Sequence, residues 1–173
     1  MERPLAAVQF VDGGSDTLPI DAFAFTRSIV RSLARLRPHL PEDKRGGGVY
    51  ACVVVRRGVV SLPPAFWSMI GLVYEDKMPR YHPFSREKVD RTFQNPGHVL
   101  SWQSMDDAAE QYPGAAVAHL ASNLSIGVGI SGKPSAADEA VAIRSLLDTG
   151  FITADQAEAY AAISSNPYWC HLR

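Results

Sequence analysis

At 173 residues, with 46% hydrophobic and 20% charged side chains, the chain has the composition of one globular domain rather than a disordered or fibrous segment. Seventeen basic against eighteen acidic side chains give a net charge of −1 and no basic excess for a nucleic-acid partner. Two cysteines and an opening MERPLAAVQFVDGG without a leader pattern predict a reducing, cytoplasmic setting, and no apolar run reaches bilayer length, so no membrane partner is expected.

In chain order, Leu5 to Val11 predicts a strand closed by a turn at Asp12-Gly13-Gly14. Asp21 stands where a carboxylate caps a helix, and Ala22, Phe25, Ile29, Leu33 and Leu36 follow at helical spacing. Arg27, Arg31 and Arg35 line another face of that helix, a solvated surface or else an anion or subunit contact. Pro38 and Pro41 end it, and residues 44–48 read as an exposed loop.

Val49 to Val55 is short and β-branched, which predicts a buried strand, with Arg56-Arg57-Gly58 turning into Val59 to Leu62. Phe66 to Tyr74 predicts the next strand. Pro79 and Pro83 predict irregular backbone over 78–84, with Ser85 capping a short helix that carries Val89 and Phe93 and stops at Asn95-Pro96-Gly97. Ser104 to Asp107 resembles a capping box and predicts a brief helix ending near Tyr112-Pro113-Gly114.

Ala115 to Leu120 and Leu124 to Ser131 predict a hairpin, followed by a helix from about Ala136 to Thr149 stopped by Gly150. Thr153 and Gln156 open a last helix through about Ile163, and the aromatic tail 165–173 is expected to pack onto the body. The elements add up to one domain over 1–173 of α+β class, an α/β sandwich whose central, mainly antiparallel sheet is flanked by helices.

The most informative stretch is 124–147. Leu124, Ile126, Val128 and Ile130 alternate with Ser125, Gly127, Gly129 and Ser131, so one strand face is branched aliphatic and the other nearly bare. Glycine weakens a strand, so the bare face implies close approach by a helix, a subunit or a ligand. A ligand pocket beside those glycines is the sharper expectation. Gly132-Lys133-Pro134-Ser135 then makes Ser135 the expected N-cap, with Asp138 as a helix-end carboxylate. Glu139 shares a stripe with Ile143 and Leu146, where a carboxylate needs a partner or has its pKa raised.

Residues 126–141, IGVGISGKPSAADEAV, resemble the signature of the GlcG/HbpS-like family, which includes haem-binding proteins and the C-terminal domain of PduO-type cobalamin adenosyltransferases. The resemblance rests on Gly129, Ser131, Gly132, Asp138, Glu139 and Ala140, with Pro113-Gly114 before them and Ser85 and Lys88 upstream. It implies a profilin-like layered fold, a homo-oligomer, and binding of haem, a corrinoid or another small molecule. The sequence departs from that pattern at Arg56-Arg57-Gly58, over 63–83 and after Gly150.

No two of the five histidines stand four apart, and the cysteines lack zinc spacing, so no metal site is expected. His119 reads as a structural histidine. His82 lies among Arg80, Tyr81, Phe84 and Arg86, residue types that pair with carboxylates and pack flat ligands. The expected ligand residues are therefore Arg80, Tyr81, His82, Arg86, Lys88, Gly129, Ser131, Gly132 and Lys133. Three functions are weighed: first a binding protein for haem or a related small molecule, then an isomerase, cyclase or lyase in which His82 and Glu139 carry acid–base chemistry, and last a purely structural oligomer-forming module. No phosphate loop, nucleophile elbow or dinucleotide fingerprint is present.

Overall fold

The computed structural model describes residues 6–8, 18–61, 65–71, 77–121 and 123–173. Its strands are β1 (Ala6–Val8), β2 (Leu18–Ile20), β3 (Val49–Arg57), β4 (Val60–Ser61), β5 (Phe66–Ile70), β6 (Ala115–His119) and β7 (Leu124–Ser131). Its helices are α1 (Ala22–Leu36), α2 (Glu42–Arg45), α3 (Met78–Gln94), α4 (Ser135–Asp148) and α5 (Ala154–Ile163). β1 and β2 form a small antiparallel ribbon of their own.

The main sheet is antiparallel throughout, and β3 and β7 are its inner strands. They pair from Tyr50↔Ser131 to Arg57↔Leu124, and β6 lies against the far side of β7. On its other edge β3 pairs with β4 through Arg56 and Arg57 and with β5 through Val49 to Val53. The fold is thus the expected α+β sandwich.

Period-two alternation sorts the two layers. Ala51, Val53, Val55, Ala116, Ile126, Val128 and Ile130 point to the side that α1 and α4 cover, and join Phe25, Ile29, Ala140, Ile143 and Leu146 in the main core. Burying each Leu, Ile or Phe there stabilises the fold by about 2 kcal/mol. Cys52, Val54, Ala115 and Val117 point the other way and meet Val89 and Phe93 of α3.

α1 begins as its sequence demands, with Asp21 Oδ1 accepting from the Phe23 and Ala24 N–H groups, both at 2.9 Å. α5 carries the Thr153–Gln156 capping box. α4 stops at Gly150, whose φ of 78° lets its N–H reach the Leu147 carbonyl at 3.0 Å while Phe151 N–H reaches that of Leu146 at 2.9 Å. The tail packs as expected: Trp169 and Leu172 are buried, and Arg35 and Arg144 both donate to the Leu172 carbonyl oxygen.

Five expectations need correction. Residues 78–84 are the first turns of α3, not irregular backbone. Pro79 falls where the first-turn N–H has no intrahelical acceptor, and Pro83 costs only one second-turn bond, to the Pro79 carbonyl. Ser85 is therefore no cap; it sits inside α3 with its hydroxyl donating to His82 O at 2.9 Å. Ser104 to Tyr112 forms no α-helix but a 3-10 turn, Ser101–Ser104, and a loop pinned by Asp106↔Gln111. Asp106 Oδ1 still accepts from Ala108 and Ala109 N–H, so the cap-like bonding exists without a helix behind it.

The N-cap of α4 is Pro134, not Ser135, and no side chain caps it; Asp138 instead accepts from the Gly132 and Lys133 N–H groups of the turn before the helix. Finally, the bare face of β7 holds no ligand pocket. A Cβ on Gly129 would overlap the Ser85 carbonyl, and one on Gly127 would overlap Val89, because α3 lies directly on the strand. The predicted strand ends at 5, 9–11 and 72–74 fall outside the described residues, and no described helix is long and apolar enough to cross a membrane.

Candidate functional site

The helix that fills the glycine face leaves a cleft of about 350 Å3 at its N-terminal half, where it meets the turn from β7 into α4. Arg80, Tyr81, Lys88, Ser131, Gly132 and Lys133 all line it, so six of the nine expected ligand residues converge. They do so because Arg80, Tyr81, Phe84 and Lys88 repeat at helical spacing along one flank of α3, while Ser131 ends β7 on the face that α3 covers. Gly129, the seventh, lies beneath Ser85 and is closed off.

The floor of the cleft is a buried ion pair. Lys88 Nζ stands 3.7 Å from Asp138 Oδ2, with the two side chains 4% and 2% exposed. Lys88 also donates to the Ile130 carbonyl at 2.8 Å. Gly114 makes room for the ammonium: a Cβ there would come within 2.6 Å of Nζ. Asp138 in turn accepts from Gly132 N–H at 3.1 Å and Lys133 N–H at 3.0 Å, fixing the turn before α4.

Burial works against both charges. It pushes Asp138 up to about 6, although Lys88 and the two N–H groups pull the other way. It lowers Lys88, against the attraction of Asp138. Lys133 is lowered too, chiefly by burial, and its ammonium closes the loop before β3 by donating to the carbonyls of Lys44, Gly46 and Gly47.

Around this floor stand Lys44, Lys77, Arg80 and Lys133, four cations beyond the Lys88–Asp138 pair, of which Lys44 has an exposed partner in Asp43 at 3.4 Å. Arg80 has its own exposed partner, Glu110 at 3.5 Å, and lies over the Phe84 ring. The N-terminus of the 14-residue α4 adds the positive end of its dipole. The resulting field attracts an anion, and the Tyr81 and Ser131 side chains add polar groups able to orient one.

His82 and Arg86 lie elsewhere, on the opposite flank of α3, where they line a groove of about 710 Å3. The His82 ring stacks on Trp67 with centroids 3.5 Å apart and planes 5° apart, and meets the edge of Tyr50 at 5.3 Å. Glu139 is fully buried beyond the other face of the sheet. Its Oε1 accepts from Ser164 Oγ at 2.6 Å and Asn166 Nδ2 at 3.2 Å, and the Trp102 backbone N–H also points at the carboxylate. Burial, above all, raises its pKa. His82 and Glu139 therefore keep separate company and form no acid–base pair, while Glu139 ties α4 to the end of α5.

His119 has two structural contacts, Ser125 Oγ at 2.9 Å and the His98 carbonyl at 3.3 Å. Cys52 is buried, which pushes its thiol up to about 12 and makes it unreactive. Among the described residues no three His, Cys, Asp or Glu side chains cluster as a metal site. Sequence reasoning missed Lys44, Lys77, Tyr112 and Asp138 as cleft residues; an unbroken helix through Pro79 and Pro83 was the signal that would have placed the first turn of α3 against the turn before α4. Compared with known protein families, curated proteins and solved structures, the chain finds no match in any of the three.

Proposed function

We propose that the domain binds a small anionic metabolite, carrying a carboxylate or a phosphate, in the cleft between α3 and the β7–α4 turn. The observation that carries this reading is the charge balance of the cleft lining, four cations beyond the buried Lys88–Asp138 pair. The cleft volume of about 350 Å3 sits at the lower end for small-molecule sites, which favours a compact ligand. The resemblance of residues 126–141 to a group of small-molecule binders points the same way.

A haem would find cations for its propionates in this cleft. Its ring, however, needs a flat apolar slot, and the floor offers the Lys88–Asp138 ion pair instead. The residues present thus suit a small acid better than a tetrapyrrole. A homo-oligomer, the other expectation of the resemblance, finds support in Phe23 and Val30, which leave 52% and 48% of their surface exposed on α1.

The enzymatic reading is favoured by one observation of its own: a buried carboxyl of pKa about 6 on the cleft wall beside a desolvated amine. Acid–base chemistry of the isomerase or lyase kind would then use Asp138 and Lys88 rather than His82 and Glu139. Titration calorimetry at low ionic strength with inorganic phosphate, succinate and haemin separates the small-anion reading from the haem reading. The binding proposal expects saturation by phosphate or succinate, weakened at least about fivefold by Arg80→Gln and by added salt. A flat response to both, with tight haemin binding, overturns it.

A further inference from the structure

We propose that the groove on the opposite flank of α3 is a second ligand site, made for a planar heteroaromatic ring that carries N–H donors, with an aminopurine nucleoside as its simplest occupant. The groove encloses about 710 Å3 and shares no lining residue with the anion-binding cleft.

Its end wall is a ready stacking surface. Trp67 leaves 40% of its area exposed, an unusual allowance for a tryptophan, and projects from β5 on the α3 side of the sheet, opposite Cys52. One indole face is covered by the parallel His82 ring at 3.5 Å, and His82 is held by the Tyr50 edge at 5.3 Å. The stack holds the indole in place, so the exposed part of the Trp67–His82 pair offers a flat ligand a pre-ordered aromatic surface.

The side walls decide the polarity of that ligand. Arg91 has its donors engaged inside the protein, Nε on Glu87 at 2.7 Å, Nη1 on Ser101 O at 2.9 Å and Nη2 on Tyr112 O at 2.8 Å. Arg86 Nε is bonded to Asp90 at 2.6 Å. Beside the Arg86–Asp90 pair the groove presents the half-exposed Glu87 carboxylate and the carboxamides of Gln94, Asn95 and Gln111. Carboxylate and amide oxygens beside an aromatic wall suit amino and ring N–H groups, and with Arg86 and Arg91 paired to Asp90 and Glu87 the groove lacks the cationic excess of the cleft across α3.

The test is a titration of the full chain with adenosine and guanosine, read by tryptophan fluorescence and by calorimetry. Saturable quenching is expected, with affinity lost about tenfold in Trp67→Ser and only a few-fold in Trp67→Phe, which keeps an aromatic face. Arg80→Gln, in the other cleft, should leave nucleoside affinity unchanged. Circular dichroism and melting curves establish that the Trp67 variants remain folded. The inference is overturned if neither nucleoside saturates the protein, or if Trp67→Ser binds as the parent does.

Discussion

The Lys88 ammonium and the Asp138 carboxylate face each other at 3.7 Å, both all but sealed from solvent, and they join the two elements that frame the cleft. Lys88 belongs to α3 and Asp138 to α4, so one contact fixes the helix over the glycine strand and the turn that leads out of it. A buried pair of this kind adds little net stability, yet removing one partner strands the other.

That asymmetry predicts a pH-dependent mutant. Lys88→Met leaves Asp138 without its counter-ion, which should cost about 3 kcal/mol where the carboxyl is ionised. Below about 6, where Asp138 is protonated in the folded state, the same substitution should cost far less. Urea unfolding at pH well above and well below that value measures the difference. An equal cost at both would show that the pair is not electrostatic.

Asp138 also sets a slope in the parent protein. Burial raises it from 3.8 to about 6, so between those values the folded protein holds a proton that the unfolded chain has released. Its contribution to stability is full below the unfolded value and is lost as pH rises through the folded one. In Asp138→Asn this loss between about 4 and 6 should be absent, as read from denaturation midpoints across that range. An unchanged slope would assign the titration to another group.

The glycine face makes a sharper demand. Gly129→Ala would drive a methyl into the Ser85 backbone, which cannot move without shifting α3, and should cost about 3 kcal/mol or more. Gly127→Ala meets the Val89 side chain, which can give, so its cost should be smaller. Chemical denaturation of the two variants ranks them, and the opposite order would contradict the packing.

How much of this was legible in the sequence follows from the same residues. The alternation at 124–131 revealed the strand and its two faces, and Asp21 and Thr153 announced their helices, because those signals are local. What the glycines were for was not local. Only the position of α3 says that they seat a helix, and α3 was cut short because Pro79 and Pro83 each disfavour a helix when read alone. Once the first two turns of α3 are restored, Arg80, Tyr81 and Lys88 share a flank and His82 leaves it. Glu139 was recognised as a carboxylate at the apolar edge, but its partners Ser164 and Asn166 lie 25 and 27 residues further on and carry no sequence signal.

Glu139→Gln gives a check on that reassignment. An amide retains an acceptor for Ser164 and Asn166 and removes a charge that burial disfavours, so stability at neutral pH should change by no more than about 1 kcal/mol. Ligand binding in the cleft should be unaffected, as calorimetry with phosphate would register. A loss of binding without a loss of stability would return Glu139 to the site.

The measurement that addresses the cleft most directly is backbone amide chemical-shift mapping as inorganic phosphate or succinate is titrated into labelled protein. Saturable shifts should concentrate on Ser131, Gly132, Lys133 and Ser135 and on the first turns of α3 around Arg80 and Tyr81, and should vanish in Arg80→Gln combined with Lys133→Met. Shifts that never saturate, or that gather on the Arg27, Arg31 and Arg35 face of α1 instead, would contradict the account.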